Sequence, residues 1–260
     1  PSNPIKVAEV KTPGVVQGLF ASGSCLYVGD GYSGLRVINV SIPSNPAEVG
    51  FWDTPGYAYG IYLSGAYAYV ADAWEGLRVI DVSNPSNPTS VGFCDTPGSA
   101  RGIYVSETYA YVADDLTGLR VIDVSDPSNP TEVGFYDTPG YAFGVYVSGT
   151  YAYVADYDYG LRVMDVSNPS NPTEVGFYDT FGYTHAVYVW GTYAYLADDY
   201  PGLRVIDVSI PSSPTEVGFC YTPGSAYRVY VSGTYAYVTQ REAGLRVIDV
   251  SDPSNPTEVG

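Results

Sequence analysis

The sequence contains few of the residue types that usually form catalytic centres, metal sites or membrane spans. Its 260 residues include one histidine, one methionine and three cysteines, and Lys6 and Lys11 are its two lysines. Cys25, Cys94 and Cys220 form no CxxC pair, so a thiolate metal site is not expected. No apolar run approaches the roughly 18 residues of a membrane-spanning helix. Neither a signal peptide nor an initiator Met is present, which indicates a mature or trimmed chain.

The charge of the chain is strongly negative, at −17. Nucleic acid and anionic membranes are therefore excluded as expected partners, because both are polyanions. In contrast, tyrosine is abundant at 28 residues, and 29 glycines and 20 prolines accompany it. This composition is typical of short β-strands joined by tight turns.

A 42-residue repeat is the strongest pattern in the chain. The string GLRVI, with GLRVM as its one variant, recurs six times. The first residues of these strings are Gly34, Gly76, Gly118, Gly160, Gly202 and Gly244. Self-similarity at a fixed period of this length indicates a stack or ring of one supersecondary unit.

One repeat, taken over residues 57–95, contains four strand signals. Two Tyr-rich runs in YAYGIYLSGAYAYVAD are joined by a short turn at Ser64-Gly65, and GLRVIDVS follows as a third run. NPSNP interrupts the pairing, TSVGFCD forms a fourth run, and TPG supplies a turn before the next repeat. Four antiparallel strands per period predict one propeller blade. We therefore predict an all-β fold, a six-bladed β-propeller forming a single domain over residues 1–260 and closed by a terminal strand.

The repeat resembles the LVIVD repeat of a β-propeller family found in bacterial and archaeal surface or secreted proteins. The resemblance rests on YAYVADAWEGLRVIDVSNPSNP at 67–88 and its five relatives, and it covers essentially the whole chain. The Gly-His and Trp-Asp markers of WD40 repeats are absent from every copy. The resemblance implies an extracellular or cell-surface location, but it implies little about biochemical activity.

One arginine recurs in every copy without exception. Because a partly buried arginine needs an acceptor, this column predicts a structural ring of Arg–carboxylate pairs between blades. The arginines are Arg36, Arg78, Arg120, Arg162, Arg204 and Arg246. The candidate acceptors are Asp30, Asp72, Asp114, Asp156 and Asp198 after the second strand, and Asp53, Asp95, Asp137 and Asp179 before the next blade.

Variation between the copies is concentrated at two places, the start of the first strand and the loop between the second and third strands. Both places lie at the same end of an antiparallel blade, so they predict one variable face around the channel mouth. Its Tyr, Trp and Arg side chains suit stacking on sugars or binding to protein. Neutral sequence drift in exposed loops explains the variation equally well. The predicted binding residues are Gln17, Tyr59, Arg101, Phe143, His185, Tyr227, Arg228, Tyr32, Trp74, Tyr157, Tyr159, Tyr200 and Arg241.

No metal, cofactor or catalytic residue is predicted. His185 would have to form any His-ligated site or catalytic triad alone, and the acidic residues near Asp156 and Asp198 have too few ligands for a dedicated calcium loop. Cys94 and Cys220 share a repeat column three blades apart and are not expected to pair.

Two terminal segments compete for the last outer strand. Five outer strands begin near Ala47, Thr89, Thr131, Thr173 and Thr215, which leaves one place. The segment from Ile5 to Val10 is the longer run and the better candidate, and the segment from Thr257 to Gly260 is then surplus. Basic or neutral residues replace acids near both ends, which marks a predicted seam. The predicted closure and assembly residues are Ile5, Lys6, Val7, Val10, Lys11, Thr257 and Val259.

These features favour a structural and binding module without catalytic activity. One version is head-to-tail assembly with other copies or other surface proteins, through exchange of a terminal strand. A fragment of a longer protein explains the surplus strand equally well. The alternative is a lectin-like or protein-binding disc, and a third hypothesis is a propeller glycosidase or lyase, for which no asymmetric pair of carboxylates is evident.

Overall fold

A computed structural model describes residues 4–241 and 243–260. Twenty-four strands form six four-stranded antiparallel sheets, and in each sheet the strands lie in chain order. This is the predicted architecture of a six-bladed β-propeller with 42-residue blades. In the described part of the chain, no helix is long and apolar enough to cross a membrane.

Contacts between residues divide the chain into two compact units of three blades each, mainly residues 5–135 and 136–260. They are called here the first unit and the second unit. Blade 1 of the first unit contains β1 (Gly18–Ser22), β2 (Cys25–Gly29), β3 (Leu35–Asn39) and β4 (Ala47–Trp52). Blade 2 contains β5 (Gly60–Ser64), β6 (Tyr67–Ala71), β7 (Leu77–Asp81) and β8 (Thr89–Cys94). Blade 3 contains β9 (Gly102–Ser106), β10 (Tyr109–Ala113), β11 (Leu119–Asp123) and β12 (Thr131–Tyr136), whose last residue lies at the division.

The second unit repeats this arrangement. Blade 4 contains β13 (Gly144–Ser148), β14 (Tyr151–Ala155), β15 (Leu161–Asp165) and β16 (Thr173–Tyr178). Blade 5 contains β17 (Ala186–Trp190), β18 (Tyr193–Asp198), β19 (Gly202–Asp207) and β20 (Thr215–Cys220). Blade 6 contains β21 (Ala226–Ser232), β22 (Tyr235–Gln240), β23 (Gly244–Asp249) and β24 (Thr257–Glu258).

The strands form where β-branched and aromatic residues cluster, and tight turns separate them. In blade 2, Ser64 pairs with Tyr67, so a two-residue turn joins β5 to β6. Gly65 in this turn has φ 58°, a left-handed conformation that glycine adopts without the steric cost of a Cβ. Turn chemistry thus sets the register of the first hairpin.

A bulge interrupts the pairing of the third and fourth strands in blades 1, 2, 4 and 5. In blade 2, Val79 pairs with Gly92 but Ile80 pairs with Ser90, which leaves Val91 as the extra residue. A Cβ on Gly92 would collide with the Pro127 carbonyl of the next blade. The invariant glycine of the VGF motif is therefore required by close packing between blades.

The hydrophobic core lies between successive blades of a unit. Tyr27, Leu35 and Val37 of blade 1 pack with Ile61 and Val70 of blade 2 in one buried cluster. Three further clusters repeat this interface between blades 2 and 3, 4 and 5, and 5 and 6. Both faces of most second and third strands are buried, so these strands are apolar almost throughout.

The termini correct one prediction. Residues 5–10 form no strand, and β24 pairs with β23 through Asp249–Thr257 and Ile248–Glu258. The C-terminal segment is therefore not surplus, and the segment from Ile5 to Val10 does not take the outer place by strand pairing. A seven-residue loop joins β23 to β24, so this pairing costs far less loop-closure entropy than pairing with the other end of the chain.

The other predicted closure residues have local contacts. The Val259 amide donates to the Val247 carbonyl at 2.8 Å, which extends the pairing of β24. Exposed Lys6 forms an ion pair with Glu9, and Lys11 is also exposed. Ile5 and Val7 are 76% and 63% exposed, so this segment contributes little to the core.

Candidate functional site

In blades 1 to 5, a buried aspartate at the end of the second strand holds the turn that leads into the first strand. In blade 2, the Thr54 hydroxyl and the Gly56 amide donate to the Asp72 carboxylate at 2.6 and 2.9 Å. Asp30, Asp114 and Asp156 receive the equivalent pair of hydrogen bonds in blades 1, 3 and 4. These carboxylates hold the start of the first strand in place beneath the variable face.

Burial disfavours the charged form of several of these carboxylates. It raises the pKa of Asp72 and Asp114, although hydrogen bonds and a nearby arginine oppose the change. Burial raises the pKa of Asp156 from 3.8 to about 6, against the same opposing contacts. The pKa values of Asp72, Asp114 and Asp156 therefore lie closer to neutral pH than the ordinary aspartate value.

The repeated arginines form ion pairs, but within blades rather than between them. Arg36 and Arg162 reach Asp53 and Asp179, each at 2.7 Å, and Arg78 reaches Glu75 at 2.7 Å. The reason is the register of the sheet, since four of the arginines lie opposite a phenylalanine of their own outer strand, namely Arg36, Arg78, Arg162 and Arg204. The guanidinium of Arg36, for example, lies 4.6 Å from the centre of the Phe51 ring.

Arg120, Arg204 and Arg246 complete the column. Arg120 lies 3.8 Å from Asp114, and Arg204 donates to Asp198 at 2.8 Å and to Glu216 at 2.9 Å. In blade 6, Gln240 replaces the aspartate, and its amide oxygen accepts from Arg246 at 2.9 Å. In all six blades, the arginine of the third strand thus contacts an acidic or amide side chain of its own blade.

The two variable places meet between neighbouring blades of a unit. Isolated bridges pair Gly31 with Ala58, Ala73 with Ala100, Tyr157 with Thr184, and Asp199 with Ala226. In each pair, the first residue follows the second strand of one blade, and the other lies just before or at the start of the first strand of the next. The prediction that both variable places share one end of the blades is confirmed within each unit.

An aromatic and polar cluster occupies this end of the first unit. It consists of Gln17, Tyr32, Tyr57, Tyr59, Arg101 and Asp115, and is called here the first-unit cluster. The Gln17 amide donates to the Tyr57 hydroxyl at 2.8 Å, and the Tyr57 and Tyr59 ring centres are 4.6 Å apart. Arg101 lies 5.0 Å from the Tyr59 ring centre and donates to Asp115 at 2.6 Å. Arg101, the one cationic side chain named in this cluster, is therefore paired with an acid of the same cluster.

A second cluster occupies the same end of the second unit. It consists of Phe143, Tyr157, Tyr183, His185, Tyr227, Arg228 and Arg241, and is called here the second-unit cluster. Tyr183 stacks on Tyr157 with ring centres 4.4 Å apart, and Tyr157 contacts His185 at 5.4 Å. His185 contacts Tyr227 at 4.9 Å. Arg228 and Arg241 lie 4.7 and 4.8 Å from the Tyr227 ring centre.

His185 is the most unusual group of the second-unit cluster. It is 4% exposed, and its Nδ1 has no hydrogen-bond partner among the residues that the structure describes. Its pKa is lowered from 6.5 to about 4, chiefly by burial; the charges of Arg241 and Arg228 act in the same direction, and those of Asp199 and Asp198 oppose it. His185 is therefore a neutral, buried imidazole at neutral pH.

Three predicted binding residues lie outside the clusters. Trp74 and Tyr200 are 70% and 64% exposed, and Tyr159 is 41% exposed beneath Arg162, whose guanidinium lies 5.5 Å from its ring centre. Trp74 and Tyr200 present free aromatic surface in their loops, whereas Tyr159 supports the structural arginine of its blade.

Sequence reasoning missed Tyr57 and Tyr183, which belong to the clusters. Their repeat column reads Val15, Tyr57, Ser99, Tyr141, Tyr183 and Ser225, and its variation would have identified them.

A column of aromatic residues in the first strands was also missed, because it does not vary in character. It consists of Phe20, Tyr62, Tyr104, Tyr146, Tyr188 and Tyr230. Within the units, successive rings of this column contact one another at 4.8–5.0 Å.

The side chains at this end of the blades can stack on rings and recognise charged groups. Within the described ranges, no group of three or more His, Cys, Asp or Glu side chains could hold a metal ion, and the three cysteines are free. A cleft of about 600 Å³ between β4 and residues 86–88 includes none of the variable positions. The two clusters are therefore the best candidates for a binding site.

Three solved structures share the fold at low sequence identity. A functionally unknown protein from Desulfotomaculum acetoxidans DSM 771 is 14% identical, with a TM-score of 0.81 over 96% of this chain and 86% of that one. A chain of the mitotic checkpoint complex is 12% identical, with a TM-score of 0.77 over 96% and 79% of the two chains. The computationally designed protein Ika8 is 9% identical, with a TM-score of 0.71 over 90% and 71%. These similarities establish the propeller fold alone.

A search of curated proteins gives no match to the sequence. The family model for the LVIVD repeat matches six consecutive segments, residues 13–54, 55–96, 97–138, 139–180, 181–222 and 223–260. The segments coincide with the six blades and leave only the first twelve residues outside. The chain belongs to the LVIVD-repeat family.

Proposed function

We propose that the protein is a non-catalytic binding and structural module that acts outside the cell or at its surface. Its ligand binds at the end of the blades where the two clusters lie. The observation that supports this proposal is the coincidence of sequence variation with aromatic and cationic side chains. Copies that agree almost everywhere else differ here, which is expected where one scaffold is adapted to a local task.

Saccharides are the favoured ligands of this module, and other surface proteins are the alternative. Exposed aromatic rings such as Tyr32 and Trp74, which are 75% and 70% exposed, suit stacking against either. Glycan-array binding should be lost on Tyr59→Ala or Trp74→Ala. Trp190→Ser is the matched control, because Trp190 is 50% exposed in a first-hairpin turn where most copies have Ser.

Three outcomes would contradict this function. Failure to bind any glycan or surface protein would remove the binding role. Equal loss of binding in Trp190→Ser would show that the effect is not local to the clusters. Release of shortened or unsaturated sugars from a bound glycan would instead indicate a glycosidase or lyase.

Strand exchange between copies is a second candidate function, favoured by the edge of β23. β24 pairs with Ile248 and Asp249 of β23, and the Val259 amide donates to the Val247 carbonyl. Leu245 is 45% exposed, whereas Leu35, Leu77, Leu119, Leu161 and Leu203 in the same column are fully buried. The outer edge of a sheet can accept an added strand, and residues 5–10 form no strand of their own.

Electron microscopy and size-exclusion chromatography of a chain lacking residues 1–10 test this candidate. We expect higher assemblies of the full chain to be lost on deletion and also on Leu245→Pro, because proline cannot donate a hydrogen bond across a strand pair. Unchanged assembly in both variants would refute strand exchange, and so would a full chain that is monomeric at high concentration.

A further inference from the structure

The second-unit cluster has features that identify a narrower class of ligand. Resting on the binding function proposed above, we infer that it binds an acidic saccharide. A carboxylate of the saccharide pairs with Arg228 and Arg241, and its sugar rings stack along the adjoining aromatic side chains.

The first argument is the local charge of blade 6. At three positions this copy departs from its siblings by losing an acid or gaining a base. Gln240 replaces the aspartate that ends or follows the second strand of the other copies. Arg228 replaces a glycine or alanine, and Arg241 takes a position held elsewhere by Gly, Ala, Asp or Tyr. One carboxylate is lost and two guanidinium groups are gained at these positions, while Glu242 adds one acid after Arg241, in a chain whose net charge is −17. Such a reversal favours an anion at this point of the surface.

The second argument is the position of Arg228 in the sheet. In blades 1 and 2 a glycine occupies this position, because a Cβ would crowd the backbone of the next blade. Arg228 pairs with Thr239 in the register of its siblings, and an added pair between Ala226 and Gln240 makes Tyr227 a bulged residue. Bulges are over-represented next to functional sites. The Arg228 guanidinium lies 4.7 Å from the centre of the Tyr227 ring.

The third argument is the continuous strip of rings that leads to the arginines. Tyr183, Tyr157, His185 and Tyr227 contact one another in series, with centres 4.4–5.4 Å apart. Tyr183 is 47% exposed at one end, and exposed Arg241 lies at the other. Pyranose rings stack on aromatic faces and carboxylates pair with arginine forks, so this strip matches a short acidic saccharide.

The fourth argument is the unsatisfied nitrogen of His185. A buried polar atom without a partner is unfavourable, and a hydrogen bond to a bound hydroxyl or carboxylate would satisfy it. Asp199 lies close enough to oppose the arginines electrostatically. This acid disfavours densely charged polyanions, and so does the net charge of the chain. A saccharide with one carboxylate per sugar is the better fit.

The single histidine of the protein provides the readout. The imidazole proton resonances of His185 are followed by NMR during titration with tetragalacturonate, with galactotetraose as the neutral counterpart. We expect a saturable shift with tetragalacturonate and at least tenfold weaker binding of galactotetraose. The bound carboxylate should also raise the pKa of His185, because a nearby anion stabilises the imidazolium.

Two variants restore residues that other copies contain, so both should fold. Arg241→Asp reproduces the residue of blades 3 and 5, and Arg228→Gly reproduces that of blades 1–4. We expect each to weaken binding of tetragalacturonate at least tenfold, with an unchanged unfolding temperature. Trp190→Ser, in the first hairpin of blade 5, should bind as the parent chain does.

Several results would overturn the inference. Equal affinity for the charged and neutral sugars, or full binding in both arginine variants, would show that no carboxylate is recognised. Tighter binding of a hexaglutamate peptide than of tetragalacturonate would identify an acidic peptide as the ligand class. Neutral glycans that bind through Tyr59 and Trp74 without affecting His185 would leave the proposed function intact and refute the acidic site alone.

Discussion

The two units contain the same three-blade architecture but differ in the chemistry of their clusters. In the first-unit cluster, Arg101 is neutralised by Asp115, and Gln17 satisfies the Tyr57 hydroxyl. In the second-unit cluster, a buried histidine has an unpartnered nitrogen and two arginines flank one tyrosine. The comparison indicates that the blade framework tolerates different side chains at its variable positions. Hydrogen bonds between its own side chains stabilise the first-unit cluster, whereas the second-unit cluster contains a buried imidazole nitrogen that has no hydrogen-bond partner among the described residues.

The largest expected contrast concerns one leucine column. Leu77 of blade 2 is fully buried, and Leu245 of blade 6 is 45% exposed. Leu77→Ala should lower the free energy of unfolding by roughly 3–5 kcal/mol, because it opens a cavity between blades. Leu245→Ala should cost less than about 1 kcal/mol. Urea unfolding followed by tryptophan fluorescence measures both, and equal losses would mean that the edge of β23 is covered.

A second contrast concerns the buried aspartates of blades 2 and 5. Asp198 accepts a direct hydrogen bond from Arg204 at 2.8 Å, but Arg78 lies 3.8 Å from Asp72. We expect Asp198→Asn to lower the free energy of unfolding by about 3 kcal/mol, since a buried charged pair is broken. Asp72→Asn should cost only about 1 kcal/mol, because burial already favours its neutral form. The same denaturation experiment tests the order, and a reversed order would contradict it.

The reason for this contrast is a substitution in the entry turn of blade 5. Phe181 and Thr184 stand there in place of the proline and alanine of most copies. The Thr184 hydroxyl donates to Asp198 at 2.8 Å, an interaction that alanine cannot make. A single side chain is thus associated with a different pairing of the conserved acid and arginine.

The pH dependence of stability should reveal opposing groups within the second unit. Asp156 has a pKa of about 6 in the folded chain, above the ordinary 3.8. Its contribution to the free energy of unfolding is therefore complete below about pH 4 and is lost as pH rises through 6. His185 has a pKa of about 4, below the ordinary 6.5, so its contribution is complete above 6.5 and is lost as pH falls through 4.

Two variants separate these contributions between pH 4 and 6.5. Asp156→Asn should make stability rise more steeply with pH, because the contribution of His185 then dominates. His185→Gln should have the reverse effect. Urea midpoints at half-unit pH intervals give the slopes, and identical slopes in the two variants would contradict the assignment.

The smallest expected contrast concerns the tyrosine hydroxyls of the two clusters. Tyr57→Phe removes the partner of the Gln17 amide and should cost about 1 kcal/mol. Tyr227→Phe should change the free energy of unfolding by less than about 0.5 kcal/mol, because the contacts described for Tyr227 involve its ring. Thermal unfolding compares the two, and a greater loss for Tyr227→Phe would indicate a structural hydroxyl there.

Much of the framework was predictable because repetition provides six observations of each position. The period, the four strands and the two variable places all follow from comparing copies, and Tyr32 or Tyr157 could be named in this way. Tyr57 and Tyr183 were missed because their column lies two positions before the variable column at the start of the first strand. Acidic partners of the repeated arginines were predicted correctly, as in Arg36–Asp53 and Arg162–Asp179, but the pairs were expected between blades and lie within them. A sequence column does not reveal the direction in which a side chain points.

The sequence by itself determined the number of blades, their strand order and the end of each blade that varies. These properties follow from local turn chemistry and strand propensity, which act within a few residues and repeat with the period. The tertiary structure decided which terminal segment pairs with β23, and it decided that His185 is buried among aromatic rings beside two arginines. Those outcomes depend on competition between segments and on close packing between blades, and neither is expressed in the order of residues along one repeat.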